Sequence, residues 1–284
     1  LYSRAIHLEV LDDMSTDSFL GALRRIISIR GPIKSIRCDN GSNFVGASNE
    51  LSKELSMQKV SAILKENSCK FYFNPPTASH MGGLFERQIR TVKSVLRGLL
   101  TKYEGLIDTS TLRTVLYEVM AVVNSRPLSV EDMSDPSGTI ITPNHLLTGK
   151  TLCGGILQTQ PMVEFDPEEI YGRHRWRKAQ AIAEEFWRVW KSQYLKNIII
   201  RQKWANPDRD LCVGDVVIVD DGETNRGSWK VGIVDEVFPS KDNKIRAAKV
   251  RLGNRRLDRF GKSIEPATFL ERPIHGLVLL LPSN

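Results

Sequence analysis

Residues 74–100 read NPPTASHMGGLFERQIRTVKSVLRGLL, and the rest of the chain is organised around them. Pro75 to Ser79 is a turn, because proline stops a helix and fixes the chain direction. Gly82 and Gly83 let the backbone pass close to something bulky. A long helix follows, in which Phe85, Ile89, Val92, Leu96 and Leu99 recur at steps of three and four and make one apolar stripe. Arg87, Arg90, Lys93 and Arg97 fall largely outside that stripe. Glu86 stands in the first turn. An acid at the start of a basic helix, after a glycine hinge, suits a carboxylate that needs a cation and a polyanion nearby.

A second acid lies upstream. Ser35-Ile36-Arg37-Cys38-Asp39 reads as a short strand that ends in Asp39, and Asn40-Gly41-Ser42-Asn43 is a tight turn after it. Open α/β sheets place their chemistry at the carboxyl ends of strands. Two carboxylates brought together, Asp39 and Glu86, suit Mg²⁺ or Mn²⁺, which take hard oxygen ligands. Such sites activate one oxygen and stabilise another in phosphoryl transfer. Each acid alone has a plainer reading, Asp39 as part of a turn and Glu86 as a partner of the helix dipole. Their combination carries the chemical one.

Several separated motifs carry a family resemblance. Cys38-Asp39-Asn40-Gly41-Ser42-Asn43-Phe44, then Asn74-Pro75-Pro76, then Ser79-His80-Met81-Gly82-Gly83-Leu84-Phe85-Glu86-Arg87 together resemble the retroviral-type integrase core of retrotransposons. Ser3 to Glu9 (SRAIHLE) and Asn124-Ser125-Arg126-Pro127-Leu128 resemble the BEL/Pao class. The resemblance implies an α/β, ribonuclease H-like integrase core over residues 1–150 with an Asp-Asp-Glu triad. Asp39 and Glu86 match its second and third members and are the expected catalytic and metal residues. In that family the first Asp lies two strands before the strand read here at Arg4 to Leu11. The chain begins at Leu1, so a core with its first strands missing, and inactive as it stands, is expected. Asp12 and Asp13 are poor substitutes. The resemblance further implies a Mg²⁺ or Mn²⁺ two-metal site, weakened here, and DNA as partner, both element ends and target. A homo-oligomer and a nuclear location are expected with it.

The remaining elements are read in order. Arg4 to Leu11 alternates as a strand, with His7 either a ligand or a packed strand histidine. Ser15 to Asp17 cap a helix from Ser18 to Arg30, ended by Gly31-Pro32. Gly46 to Ser56 and Gln58 to Asn67 read as helices, and Lys70 to Asn74 as a strand. His80, in the loop before Glu86, either meets a phosphate or bonds to backbone. Arg87, Arg90, Lys93 and Arg97 are either a solvated face or, as the resemblance implies, a DNA contact that sets affinity rather than sequence choice. Ser110 to Ser125 and Thr142 to Leu147 are further helices. Residues 151–170 are the expected linker.

Residues 171–206 form a helical segment with Trp176, Ala183, Trp187, Trp190 and Tyr194 on roughly one face, either core or a stacking surface for single strands. Arg173, Arg175, Arg177, Lys178, Arg188 and Lys191 surround it. Residues 207–275 read as short strands that suit a small SH3-like β-barrel, which resembles the C-terminal domain accompanying BEL/Pao integrases. Arg251, Arg255, Arg256, Arg259 and Lys262 are its candidate contacts. The net charge of +7 permits a polyanionic partner without requiring one. The four cysteines are widely separated, so no zinc finger is encoded, and isolated thiols fit a reducing intracellular compartment. No apolar run is long enough to cross a bilayer, so no membrane partner is expected. Three functions remain from these residues: an integrase-type polynucleotidyl transferase, a non-catalytic nucleic-acid-binding remnant of a transposable element, and a nuclease of the same fold. The basic C-terminal half argues against the last.

Overall fold

The computed structural model describes residues 3–13, 15–38, 70–73, 83–133, 140–149, 174–205, 209–222, 224–240, 244–252 and 268–283. The expected helices at 46–56 and 58–67, the linker at 151–170 and Arg255, Arg256, Arg259 and Lys262 lie outside them. The architecture is mixed α/β, with helices and mostly antiparallel pairing. Two units separate, one of Leu8–Gln88 and one of Leu1–His7 with Ile89–Asn284.

In the first unit, helix α1 spans Thr16–Arg30. Its cap is the one expected: Ser15 Oγ accepts the Ser18 N–H at 3.1 Å, which satisfies a donor the helix cannot. Asp13 takes the Ser15 N–H at 2.7 Å, and its hydrogen bonds to Ser15 and Ser18 hold its carboxyl below the ordinary range. That acid is therefore engaged as a local cap. Gly31 ends the helix at φ 83°, a left-handed conformation that favours glycine. Strands β1 (Ser35–Cys38) and β2 (Lys70–Phe73) run parallel, with Ser35 opposite Lys70 and Cys38 opposite Phe73. Helix α2 (Gly83–Lys102) begins in this unit and continues into the other.

In the second unit, α2 buries Val92, Val95, Leu96 and Leu99, close to the stripe expected. Helix α3 (Thr109–Asn124) is capped by Asp108, whose Oδ1 accepts the Thr111 N–H at 2.8 Å. The two-residue strands β3 (Ser129–Val130) and β4 (Ile140–Ile141) pair antiparallel, and α4 (Pro143–Thr148) follows with Thr142 as cap. Helix α5 (Arg175–Ala205) is 31 residues long and packs against α3. Gln180 Nε2 donates to Glu118 Oε1 of α3 at 2.7 Å, and Glu185 takes both Lys102 Nζ (2.7 Å) and Tyr103 Oη (2.5 Å).

Arg4 to Leu11, expected as a strand, shows no strand pairing among the described residues. Ile6 is instead held by a side chain: Asn124 Oδ1 accepts its N–H and Asn124 Nδ2 donates to its carbonyl, both at 2.9 Å. The amide gives Ile6 the two backbone bonds that a neighbouring strand would give.

The last part of the chain is one antiparallel sheet of β5 (Val216–Val219), β6 (Lys230–Pro239), β7 (Ile245–Leu252), β8 (Thr268–Pro273) and β9 (Leu277–Leu281). Its order, β8-β7-β6-β5-β9, leaves β8 and β9 as edges, so no closed barrel forms among the described residues. The sheet is nonetheless curled. At about 4.8 Å per strand, edges four steps apart would lie roughly 19 Å from one another in a flat sheet. The turn Ile274–Gly276 that joins them reaches at most about 14 Å. Gly232 serves this curvature: a Cβ there would lie 2.5 Å from Val250 Cγ1 and 2.8 Å from the Arg251 carbonyl oxygen. Val217, Val219, Val234, Ala248, Val250 and Leu277 form the core of the sheet. Helix α5 lies against β9, and Trp187, Trp190 and Tyr194 from α5 meet Trp229 edge-on at 5.0 to 6.2 Å between ring centroids.

Candidate nucleic-acid interface

The parallel pair fixes where two loops leave the first unit's sheet. Because β1 and β2 are parallel with Cys38 opposite Phe73, their carboxyl ends lie side by side, about 4.8 Å apart. The next residues along the chain are Asp39 and Asn74, which opens the segment leading to α2. Glu86 is the fourth residue of α2 and so belongs to its first turn. Asp39 and His80 lie outside the described residues. Glu86 and Arg87 are fixed as positions on the helix backbone.

The described cations of α2 follow the helix geometry. At about 100° per residue, positions 86, 90, 93 and 97 fall within an arc of roughly 60°. Arg90, Lys93 and Arg97 are exposed along that row, and the opposite face carries the buried Val92, Val95, Leu96 and Leu99. Three guanidinium and ammonium groups at steps of three and four residues rise about 1.5 Å per residue, so the row runs roughly 10 Å along the axis. An exposed row of cations is the kind of surface that neutralises a polyanion's charge without reading its sequence. The row's position 86 is an acid at the helix start, where the dipole favours negative charge.

The second unit holds this helix through its far end and through the chain that follows. Lys102, hydrogen-bonded to Glu185, has its ammonium held above the ordinary range. Arg126 is fully buried. Its Nη1 donates to the Val123 carbonyl at 2.7 Å and its Nη2 to the Arg4 carbonyl at 2.5 Å. Burial pulls its guanidinium down to about 10. Arg4 itself sits at φ 49°, a conformation that costs a non-glycine residue about 1 kcal/mol and that the surrounding bonds hold in place. Asn124 and Arg126 are therefore a clasp on the segment at Arg4 and Ile6. Sequence reading noticed this motif and gave it no role; polar residues that end an apolar helix were its signal.

The tryptophans divide. Trp187 and Trp190 are 2% exposed, as a core reading requires, and Lys191 is buried beside them, with Nζ bonded to Thr224 Oγ1 (2.7 Å) and Asp220 Oδ1 (2.9 Å). Lys191 is thus not a phosphate contact. Trp176, read on the same face as either core or a stacking surface, is 53% exposed. It stands before the stretch of α5 that is enclosed on most sides. Asp215, another residue the sequence did not single out, is fully buried and accepts from Arg209, the Cys212 N–H and Ser283. Arg251, a candidate contact of the sheet, lies 3.7 Å from Asp235.

Comparison with known families gives one match: residues 174–279 fit a family described as a family of unknown function (DUF5641). That span is α5 with the sheet up to the first residues of β9. No curated protein matches the chain.

Proposed function

We propose that this chain belongs to an integrase-type polynucleotidyl transferase of the BEL/Pao retrotransposon class, acting in DNA integration. The reading takes Leu8–Gln88 as part of a ribonuclease H-like core and the curled sheet as an SH3-like domain. One observation supports it above the others. The parallel pair β1–β2 brings the strand that precedes Asp39 and the strand that leads to the Glu86 helix to the same carboxyl edge. The SH3-like reading draws on the meander β5 to β8 and the return of β9, across a three-residue turn, to pair with β5.

The donor set fits a hard divalent cation. Asp39 and Glu86 would hold Mg²⁺ or Mn²⁺, both through carboxylate oxygens. Among the described residues no group of three or more His, Cys, Asp or Glu could serve instead. The bound metal supplies charge stabilisation and activation of an attacking oxygen in phosphodiester chemistry. The chain's own share is positioning. Arg90, Lys93 and Arg97 hold the phosphate backbone along α2, and Lys102 and Tyr103 tie the far end of that helix to Glu185 of α5. His80 and Arg87 extend the same contact toward the helix start. DNA is the partner in this reading, a second copy of the chain joins it, and the nucleus is where the substrate is met.

Calorimetric titration with Mn²⁺ tests the metal site. Asp39→Asn and Glu86→Gln should each abolish the measured heat, with DNA affinity kept. A titration unchanged in both variants rules out the acid pair. The non-catalytic reading is favoured by the same exposed row, which needs no metal to bind DNA. It stands if DNA binding persists while no Mn²⁺ site is found.

A further inference from the structure

Helix α5 opens with His174-Arg175-Trp176-Arg177-Lys178 at its first turn, a run with an aromatic between cations and no acid. Trp176 is on nearly the same helical row as Trp187, eleven residues on, because eleven residues bring an α-helix back within about 20°. The two differ in environment: Trp187 is enclosed, whereas half of Trp176 faces solvent. The Arg177 guanidinium carbon lies 5.6 Å from the Trp176 ring centroid, within the range of a cation–π contact.

The platform beneath the ring is firm. Arg175 Nε pairs with Asp108 Oδ2 at 2.9 Å, and Lys178 Nζ donates to the Leu106 carbonyl at 2.8 Å, so the first turn of α5 is fastened to the chain between α2 and α3. A large exposed indole on a rigid helix, flanked by guanidinium groups, matches the two needs of an unpaired nucleotide. Its base needs a flat apolar surface, and its phosphate needs a cation beside that surface. A duplex offers no open base face, so this pattern favours single strands. Charge complementarity chooses nucleic acid over an apolar protein surface, since the run carries three cations and no acid of its own, with Arg175 paired to Asp108.

We infer that Trp176 is a stacking site for an unpaired base of single-stranded DNA, with Arg177 beside it taking the adjacent phosphate. The inference rests on the nucleic-acid reading above, and its test separates the two. Anisotropy is measured with a labelled oligothymidylate of about 12 nucleotides and with a duplex of the same length. The proteins are the full chain, Trp176→Ala, Trp176→Phe and the triple variant Arg90→Ala, Lys93→Ala, Arg97→Ala.

Trp176→Ala should weaken the single strand about tenfold and leave the duplex unchanged, and Trp176→Phe should keep most of the single-strand affinity. The triple variant should weaken the duplex. Equal single-strand affinity for the full chain and Trp176→Ala overturns the stacking site while leaving the α2 row untouched. A loss in Trp176→Ala that is equal for duplex and single strand overturns it too. If the full chain binds the single strand but not the duplex, the α2 reading falls and Trp176→Ala still decides this one. Loss of a protein partner alone, with the single strand bound as before, also overturns it.

Discussion

The side-chain amide of Asn124 sits against the backbone of Ile6 as a strand would, one bond donated and one accepted, each at 2.9 Å. Asn124 is 1% exposed and Ile6 is buried, so water cannot replace either bond. Removing the amide strands a backbone N–H and a carbonyl together.

Asn124→Ala should therefore destabilise the protein by about 1–3 kcal/mol. Asn124→Asp keeps an acceptor but loses the donor, so it should be destabilising as well. Urea unfolding checks both. A midpoint unmoved in the alanine variant would mean that the amide holds nothing.

Gly232 has no room for a side chain. Its Cβ would meet Val250 Cγ1, the Arg251 carbonyl oxygen and Leu252 Cδ2 at 2.5 to 2.8 Å, and one of those is backbone. Gly232→Ala should lower stability by about 1–3 kcal/mol through forced displacement of β7. Gly222, in open space at φ 76°, provides the comparison, since Gly222→Asn should be nearly neutral. Thermal melting that ranks the two equally would contradict the close approach.

Asp215 carries a pH dependence. Burial pushes its carboxyl up, but hydrogen bonds from Arg209, the Cys212 N–H and Ser283 outweigh it and hold it below the ordinary value of 3.8. Around that value the unfolded chain binds more protons at this site than the folded one, so stability rises with pH there. The bonds to the Asp215 carboxylate contribute fully above the unfolded value and are lost as pH falls through the lower folded one. Asp215→Asn should be less stable at neutral pH and should show a flatter decline between about pH 5 and pH 2. Parallel acid declines in both proteins would remove Asp215 and its partners from the account.

On the proposed reading, the exposed α2 row would set the salt response of duplex binding. Each phosphate neutralised contributes about 0.9 to the slope of log affinity against log salt. Replacing Arg90, Lys93 and Arg97 by alanine should reduce that slope by up to about 3, without altering the preference among duplex sequences. An unchanged slope would place the duplex elsewhere on the molecule.

The helices were legible where local chemistry specifies them. Ser15 before Ser18, Asp108 before Thr111 and Thr142-Pro143 announce caps that do not depend on distant contacts. The apolar steps of α2 and α3 were equally plain, and Val216 to Val219, Lys230 to Pro239 and Ile245 to Leu252 follow the β-rich runs. Arg4 to Leu11 misled because alternation reports an extended chain and not the identity of its partner, here an asparagine 118 positions away.

Leu277 to Leu281, an apolar run too short to cross a bilayer, is the strand that completes the sheet, a role set by pairing with β5. Trp176 misled for a related reason: periodicity gives the face of a helix but not where along its length the enclosure ends. Of the candidate site, the sequence supplied residue types and order. The common edge of β1 and β2 needed the parallel register, which no local signal carries.

The sheet's strand order has a consequence during synthesis. β5 leaves the ribosome well before β9, yet one of its two neighbours is β9 itself. Until that segment emerges, Val216 to Val219 presents a bare edge of strongly apolar sequence in the crowded cell, able to recruit a like strand from another nascent chain. Pairing across so wide a sequence gap is slow. The yield of correctly assembled protein should then depend on how long that edge waits and on chaperones that shield it meanwhile.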